Sequence, residues 1–147
     1  MATKYKLTDE SIEFDGFTLY RIEALTSFGD VTAGDKGGFV DIFGRINIDD
    51  RWTGWVYGDA KAYGGSWLHE NASVRDNGIL KGKGLLYGNA QIRDNAVVEG
   101  GSYGENVRIL GDTIAGGSSW AYGTVTYNTS IPVSGGIIAG VCTVEDY

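Results

Sequence analysis

The stretch "YGNAQIRDNAVVEGG", residues 87–101, states nearly the same six-residue phrase twice: Tyr87-Gly88-Asn89-Ala90-Gln91-Ile92, then Arg93-Asp94-Asn95-Ala96-Val97-Val98. In both, the sixth position is aliphatic, the fourth is small, and the second and third are Gly, Asn or Asp. Alternate residues of a strand face opposite ways, so positions four and six enter a core while position five leaves it. Gly, Asn and Asp tolerate the positive φ of a sharp corner. Each phrase therefore reads as a corner and a short strand.

The period extends in both directions. From Tyr57 to Val98 seven sixes run without interruption, with aliphatic sixth positions at Leu68, Val74, Leu80, Leu86, Ile92 and Val98 and small fourth positions at Ala60, Ser66, Ala72, Ala90 and Ala96. A five-residue unit, EGGSY, follows at 99–103, and the sixes resume with GENVRI and continue to Glu145. A unit of this kind cannot bury its apolar side alone, so successive units must stack into one continuous core, as in a solenoid. Residues 57 to 145 resemble the hexapeptide repeat of left-handed parallel β-helix proteins, most plainly in GENVRI and YGNAQI. The resemblance implies three units to a triangular coil of about eighteen residues, and so about five coils.

The first third of the chain breaks the period. Asp15-Gly16 separates two strand-like runs, a hairpin signal. An open solenoid end exposes unpaired strand edges, so residues 1–50 read as a hairpin cap and 51–147 as the β-helix of one folded, all-β unit. The series Lys4-Tyr5-Lys6-Leu7-Thr8-Asp9-Glu10, the Leu-Tyr-Arg-Ile-x-Ala-Leu run at 19–25, the Phe-Gly-Asp-Val-x-Ala-Gly-Asp-x-Gly-Gly-Phe run at 28–39 and Trp55-Val56-Tyr57-Gly58-Asp59-Ala60 resemble the YdcK-like family of bacterial and phage hexapeptide-repeat proteins. That resemblance spans nearly the whole chain and implies a fold and a phage or prophage setting, without a reaction. No comparable segment follows VCTVEDY, where the solenoid end is either blunted by Glu145 and Asp146 or covered by another chain.

Composition narrows the function. The 147 residues are 42% hydrophobic, enough for the core of one domain, and 24 glycines without Gly-X-Y periodicity point to short strands and tight turns. Against 12 Lys+Arg stand 19 Asp+Glu, a net charge of −7 with neither sign gathered into a run, so no basic face for nucleic acid is expected. One cysteine, Cys142, and one histidine, His69, exclude a disulfide framework and multi-histidine metal sites within one chain; no metal or cofactor is expected. No stretch approaches the ~20 apolar residues of a membrane span or the form of a signal segment, which places the expected protein in the cytoplasm, that of the host cell for a phage-encoded chain.

Left-handed β-helices include acyltransferases, whose resemblance requires a histidine base and an enclosing loop or helical tail. The candidate base is His69, beside Glu70, in a register with no insertion to enclose a substrate. γ-Class carbonic anhydrases need three zinc-binding histidines per site, and ice-binding β-helices need a threonine ladder where this chain has Ser73, Gln91, Arg108, Thr126 and Val144. Cys142 has no second histidine to activate it.

Position five sorts into faces. One collects Trp67, Leu85, Tyr103, Trp120 and Ile138, and a second collects Lys61, Ile79, Val97, Ile114 and Pro132; both are expected to point outward. Such apolar stripes fit self-assembly as a dimer or trimer, or docking of a host protein by aromatic anchors. Tyrosines at position one (Tyr57, Tyr63, Tyr87, Tyr122) read either as ladder stacking or as a stacking surface for a nucleotide between subunits. The sequence reads as a non-enzymatic, homo-oligomeric binding protein that occludes or sequesters a host component, such as part of a defence system. A degenerate acyltransferase and a structural virion or scaffold part are the alternatives.

Overall fold

The structure, a computed structural model, describes residues 4–41, 47–48, 51–130 and 132–145. It is all-β: sixteen strands join in one sheet that wraps into stacked parallel coils, a β-solenoid of about five turns. No helix of the described residues is long and apolar enough to cross a membrane.

The six-residue reading explains the coil. Position-two residues carry the corner: Gly58, Gly88 and Gly111 have φ of 58°, 63° and 63°, and Glu70, Asp76, Asp94 and Glu105 adopt φ of 54–57°. Asp94 offsets that conformation by accepting a hydrogen bond from Gly111 N (2.8 Å), as Asp76 does from Asp94 N (3.1 Å). Positions four and six fill the interior, where Ala60, Ala72, Ala90, Ala96, Leu68, Val74, Leu80, Leu86, Ile92 and Val98 are fully buried. Ser66 and Ser119, polar residues at position four, donate to the carbonyls of Tyr63 and Gly116 (both 2.8 Å), which satisfies their hydroxyls inside the core.

Successive coils pair in parallel. N–H groups of Trp67, His69, Arg75 and Ile79 donate to the carbonyls of Gly84, Leu86, Ile92 and Ala96 one coil on, at 2.8–3.0 Å. The register stacks three columns: Lys61–Ile79–Val97–Ile114, Trp67–Leu85–Ser102–Trp120–Ile137, and Trp55–Ser73–Gln91–Arg108–Thr126–Thr143.

Two members of the expected first face move. Ser102 pairs with Leu85 and Trp120, whereas Tyr103 pairs with Leu86 and Ala121, points inward and is 0% exposed. The missing residue of EGGSY is lost in the corner, where Gly100 and Gly101 turn at consecutive φ of 84° and 85°, so the strand that follows keeps its facing. A second shortened corner lies one residue below full length at Ser134-Gly135-Gly136-Ile137, with φ of 87° and 88° at its glycines. It places Ile137, not Ile138, opposite Trp120, and Thr143, not Val144, opposite Thr126. Ile138 and Val144 pack against the core.

At the other end, β1 (Tyr5–Phe14) and β2 (Phe17–Ala24) form the antiparallel hairpin expected around Asp15-Gly16, and β3 (Lys36–Asp41) pairs antiparallel with β2 and parallel with Lys61–Ala62. Ile22, Ala24, Val31 and Val40 join the same buried cluster as the coils. Close approach needs Gly37 and Gly38, where an added Cβ would lie 2.7 Å from Ile22 and Trp55 and 2.3 Å from the Ala60 carbonyl. Lys4, 2% exposed, donates to the carbonyls of Trp52 (2.7 Å) and Gly54 (2.6 Å) and lies 4.2 Å over the Phe28 ring. Residues 1–3, 42–46 and 49–50 of the expected leader, and Asp146, lie outside the described residues.

The register makes Tyr103 structural and Ser102 superficial. Tyr103→Ala is expected to lower unfolding stability by ~3–5 kcal/mol, while Ser102→Ala changes it by less than about 0.5 kcal/mol; chemical denaturation of the two variants measures both.

Candidate functional site

Of the three solenoid faces, the hairpin takes up part of one. Phe14 and Phe17 pack on Tyr63, at ring centroid distances of 6.1 and 4.9 Å, and Ile79 joins the cluster they form with Leu19 and Phe39. Lys61 Nζ lies 4.8 Å over the Phe14 ring. The expected second face is thus partly covered at Ile79, and its remainder is half-buried Val97, exposed Ile114 and exposed Pro132. The third face is polar, with Gln91, Arg108, Thr126 and Thr143 on its strands.

The first face is left free by the described residues. Trp67 is 45% exposed, Trp120 54% and Ile137 68%, with half-buried Leu85 and Ser102 between them. Trp67 and Trp120 stand three coils apart in one column, about 14 Å at the strand spacing of a sheet. Between them lies a shallow hollow of about 700 Å³ whose walls are the two indoles and whose floor is Leu85, Gly101 and Ser102, with Lys83 on its rim. The hollow exists because the turn of Tyr103 into the core leaves Ser102, a small residue, in the middle of an aromatic column. His69, the expected candidate base, packs edge-on against Trp67, centroids 5.3 Å apart, and is not part of the hollow's lining.

The four position-one tyrosines do not form one surface. Tyr63 is 1% exposed; its hydroxyl donates to Asp15 Oδ2 (2.9 Å), and that bond, with Lys81 3.2 Å from the same oxygen, holds the Asp15 carboxyl below its ordinary value. Tyr57 donates to Asp30 Oδ1 (2.6 Å) with the Arg75 guanidinium 4.0 Å over its ring; burial, reinforced by that bond, pushes its pKa up to about 12. Only Tyr87 and Tyr122 share a corner. The Tyr87 ring covers Gly104, where a Cβ would lie 1.9 Å from it, and burial with the nearby charge of Glu105 raises its pKa. Tyr122 is 40% exposed beside it.

Two interior tyrosines were not expected: Tyr103 and Tyr127, edge to face at 6.5 Å. Burial pushes both hydroxyls up to about 12. Tyr127 sits at a sixth position of the repeat, which marks it as inward in the sequence, while Tyr103 is legible only once its corner is known to be short. Cys142 is half-buried under the same interior and forms no disulfide. Among the described residues no group of three or more His, Cys, Asp or Glu side chains could hold a metal ion. No protein-family model matches the chain, and no curated protein matches its sequence.

The tyrosines of the interior and of the Asp30 contact carry a pH signature. Their folded pKa values, about 12 for Tyr57 and Tyr127, lie above the ordinary ~10, so folding favours the neutral phenol. That contribution is complete below about pH 10 and is lost as pH rises through about 12. The urea midpoint is expected to fall over this window, and Tyr57→Phe with Tyr127→Phe to flatten the fall.

Proposed function

We propose that the chain is a rigid, non-enzymatic binding protein that engages a protein partner through the Trp67–Trp120 face and works as a homo-oligomer, by occlusion or sequestration. The observation that carries this reading is the column itself. Trp67, Leu85 and Trp120 stand in register on strands whose backbone groups are already committed to the coil-to-coil ladder, with Ile137 next in the column, so recognition along the three falls to side chains. Apolar surface of the order of 400 Å² is as much as a monomer usually exposes in one patch. Its burial is worth on the order of 10 kcal/mol before the costs of association. Trp is also a preferred interface anchor, because a large rigid side chain loses little freedom on binding.

The setting of the partner rests on the YdcK-like resemblance, which points to a phage or prophage context and hence to a host component, such as part of a defence system, as the target. An acyltransferase would need His69 as base; its edge-on contact with Trp67 favours a role as a packing neighbour of the indole, outside the hollow. His69→Ala is accordingly expected to leave partner capture intact.

The test is affinity capture from infected host cells with the wild-type chain and with Trp67→Glu/Trp120→Glu, read by mass spectrometry. The double variant is expected to keep the wild-type melting temperature within a few degrees, as for surface changes, and to lose the captured protein. Equal capture by the folded variant overturns the assignment of the face.

A further inference from the structure

The last strand, Ile137–Glu145, differs from the rest of the solenoid: it runs nine residues around a corner at Gly140 (φ 90°), and its one strand partner among the described residues is Ile114–Asn128. The ladder alternation that aims the N–H of Trp120 at the Gly136 carbonyl aims the N–H and C=O of Ile137, Ala139, Val141, Thr143 and Glu145 the other way, out of the coil. Under this edge the interior is only partly closed. Ile138, Cys142 and Val144 are half-buried, whereas Ala121, Val125 and Tyr127, their counterparts one coil earlier, are at most 1% exposed. Val141, the midpoint of the strand, is 86% exposed.

A second strand matches a row of alternating donors and acceptors along its whole length. Edge strands that avoid pairing carry Lys, Pro or a bulge, yet Ile137-Ile138-Ala139-Gly140-Val141-Cys142-Thr143-Val144 has no charge and no proline. We infer that the edge of Ile137–Glu145 is a self-association surface, pairing antiparallel with the same strand of a second copy about a two-fold axis at Val141. The register is self-consistent. Centred on Val141, the outward-bonding residues oppose one another as Ile137 with Glu145 and Ala139 with Thr143, while the inward-facing Ile138 and Val144 meet between them. The geometry of the coil agrees: the strand lies along the first face at Ile137 and along the third at Thr143, and a two-fold through the corner between them exchanges those faces while keeping both coils superposed. The two interiors then close on each other, and an isologous pair of this kind stops at two copies.

This surface is separate from the Trp67–Trp120 face, and the test keeps the two apart. Light scattering of the purified chain is expected to give twice its 15.8 kDa mass at micromolar concentration. Val141→Glu, which sets like charges against each other at the axis, is expected to give a single-chain mass with an unchanged far-UV spectrum, while Trp67→Glu/Trp120→Glu stays dimeric. Paired residues at a two-fold lie within disulfide range, so Val141→Cys in a Cys142→Ser background is expected to give a covalent dimer on a non-reducing gel. The cross-link decides if Val141→Glu fails to fold. A single-chain or trimeric mass for the wild type, dissociation by the tryptophan variants, or no cross-link overturns the inference.

Discussion

Everything in this solenoid hangs on the hydrogen-bond ladder between coils. Because the N–H of Trp67 must meet the carbonyl of Gly84, and that of Ile79 the carbonyl of Ala96, each residue stands over its counterpart one coil earlier, and its column decides whether it is core or surface. A parallel ladder admits no half step, for a slip of one residue would send every later inward side chain outward. A lost residue must therefore be absorbed where no facing is at stake. Both losses occur at corners with two consecutive glycines of positive φ, Gly100-Gly101 and Gly135-Gly136, on the same edge of the solenoid.

That constraint explains which parts of the molecule were legible. The interior was: the small fourth and aliphatic sixth positions of YGNAQI and RDNAVV are all buried, and the hairpin around Asp15-Gly16 forms where its turn chemistry places it. The faces were legible in the second column through Ile114 and in the third through Thr126, and in the first everywhere but at Tyr103 and Ile138. A five-residue unit states that a residue is missing without stating where, and counting eighteen on from Leu85 puts Tyr103 outside; the second short corner, at Ser134–Ile137, lies hidden in a run of sixes and puts Ile138 and Val144 outside. The glycine pairs narrow the choice without making it, since Gly64-Gly65 also turns at positive φ in a corner of full length. Tyr127 and Tyr103 then fall together in the interior, which a count by sixes and fives hides.

Position one resisted reading for a different reason. It lies at the corners, where the neighbours come from distant chain segments, so four identical tyrosines take different roles. Tyr63 is buried by Phe14 and Phe17 and bonded to Asp15, Tyr57 is held between Asp30 and Arg75, and Tyr87 lies across Gly104 beside Tyr122. The same long-range packing partly covers the second apolar face, because the hairpin lies along it at Ile79. Periodicity reports which residues share a column; it carries no information on what is laid against that column from outside.

The side and the end of the solenoid consequently offer different chemistry. Along the first face the backbone is spent in the ladder, so a partner meets only side chains, and the separation of Trp67 and Trp120 is set by three coil steps rather than by loop conformation. A surface held this way has little left to order on binding, and complementarity to a particular partner goes further toward affinity there than on a mobile loop. At the last strand the situation is reversed. The unspent groups are backbone ones, which any strand can match, and selectivity has to come from register: from whether the opposing chain brings Ile138 and Val144 over an interior of the same width. A second copy meets that requirement by construction, since its coil has the same three sides and the same corner at Gly140.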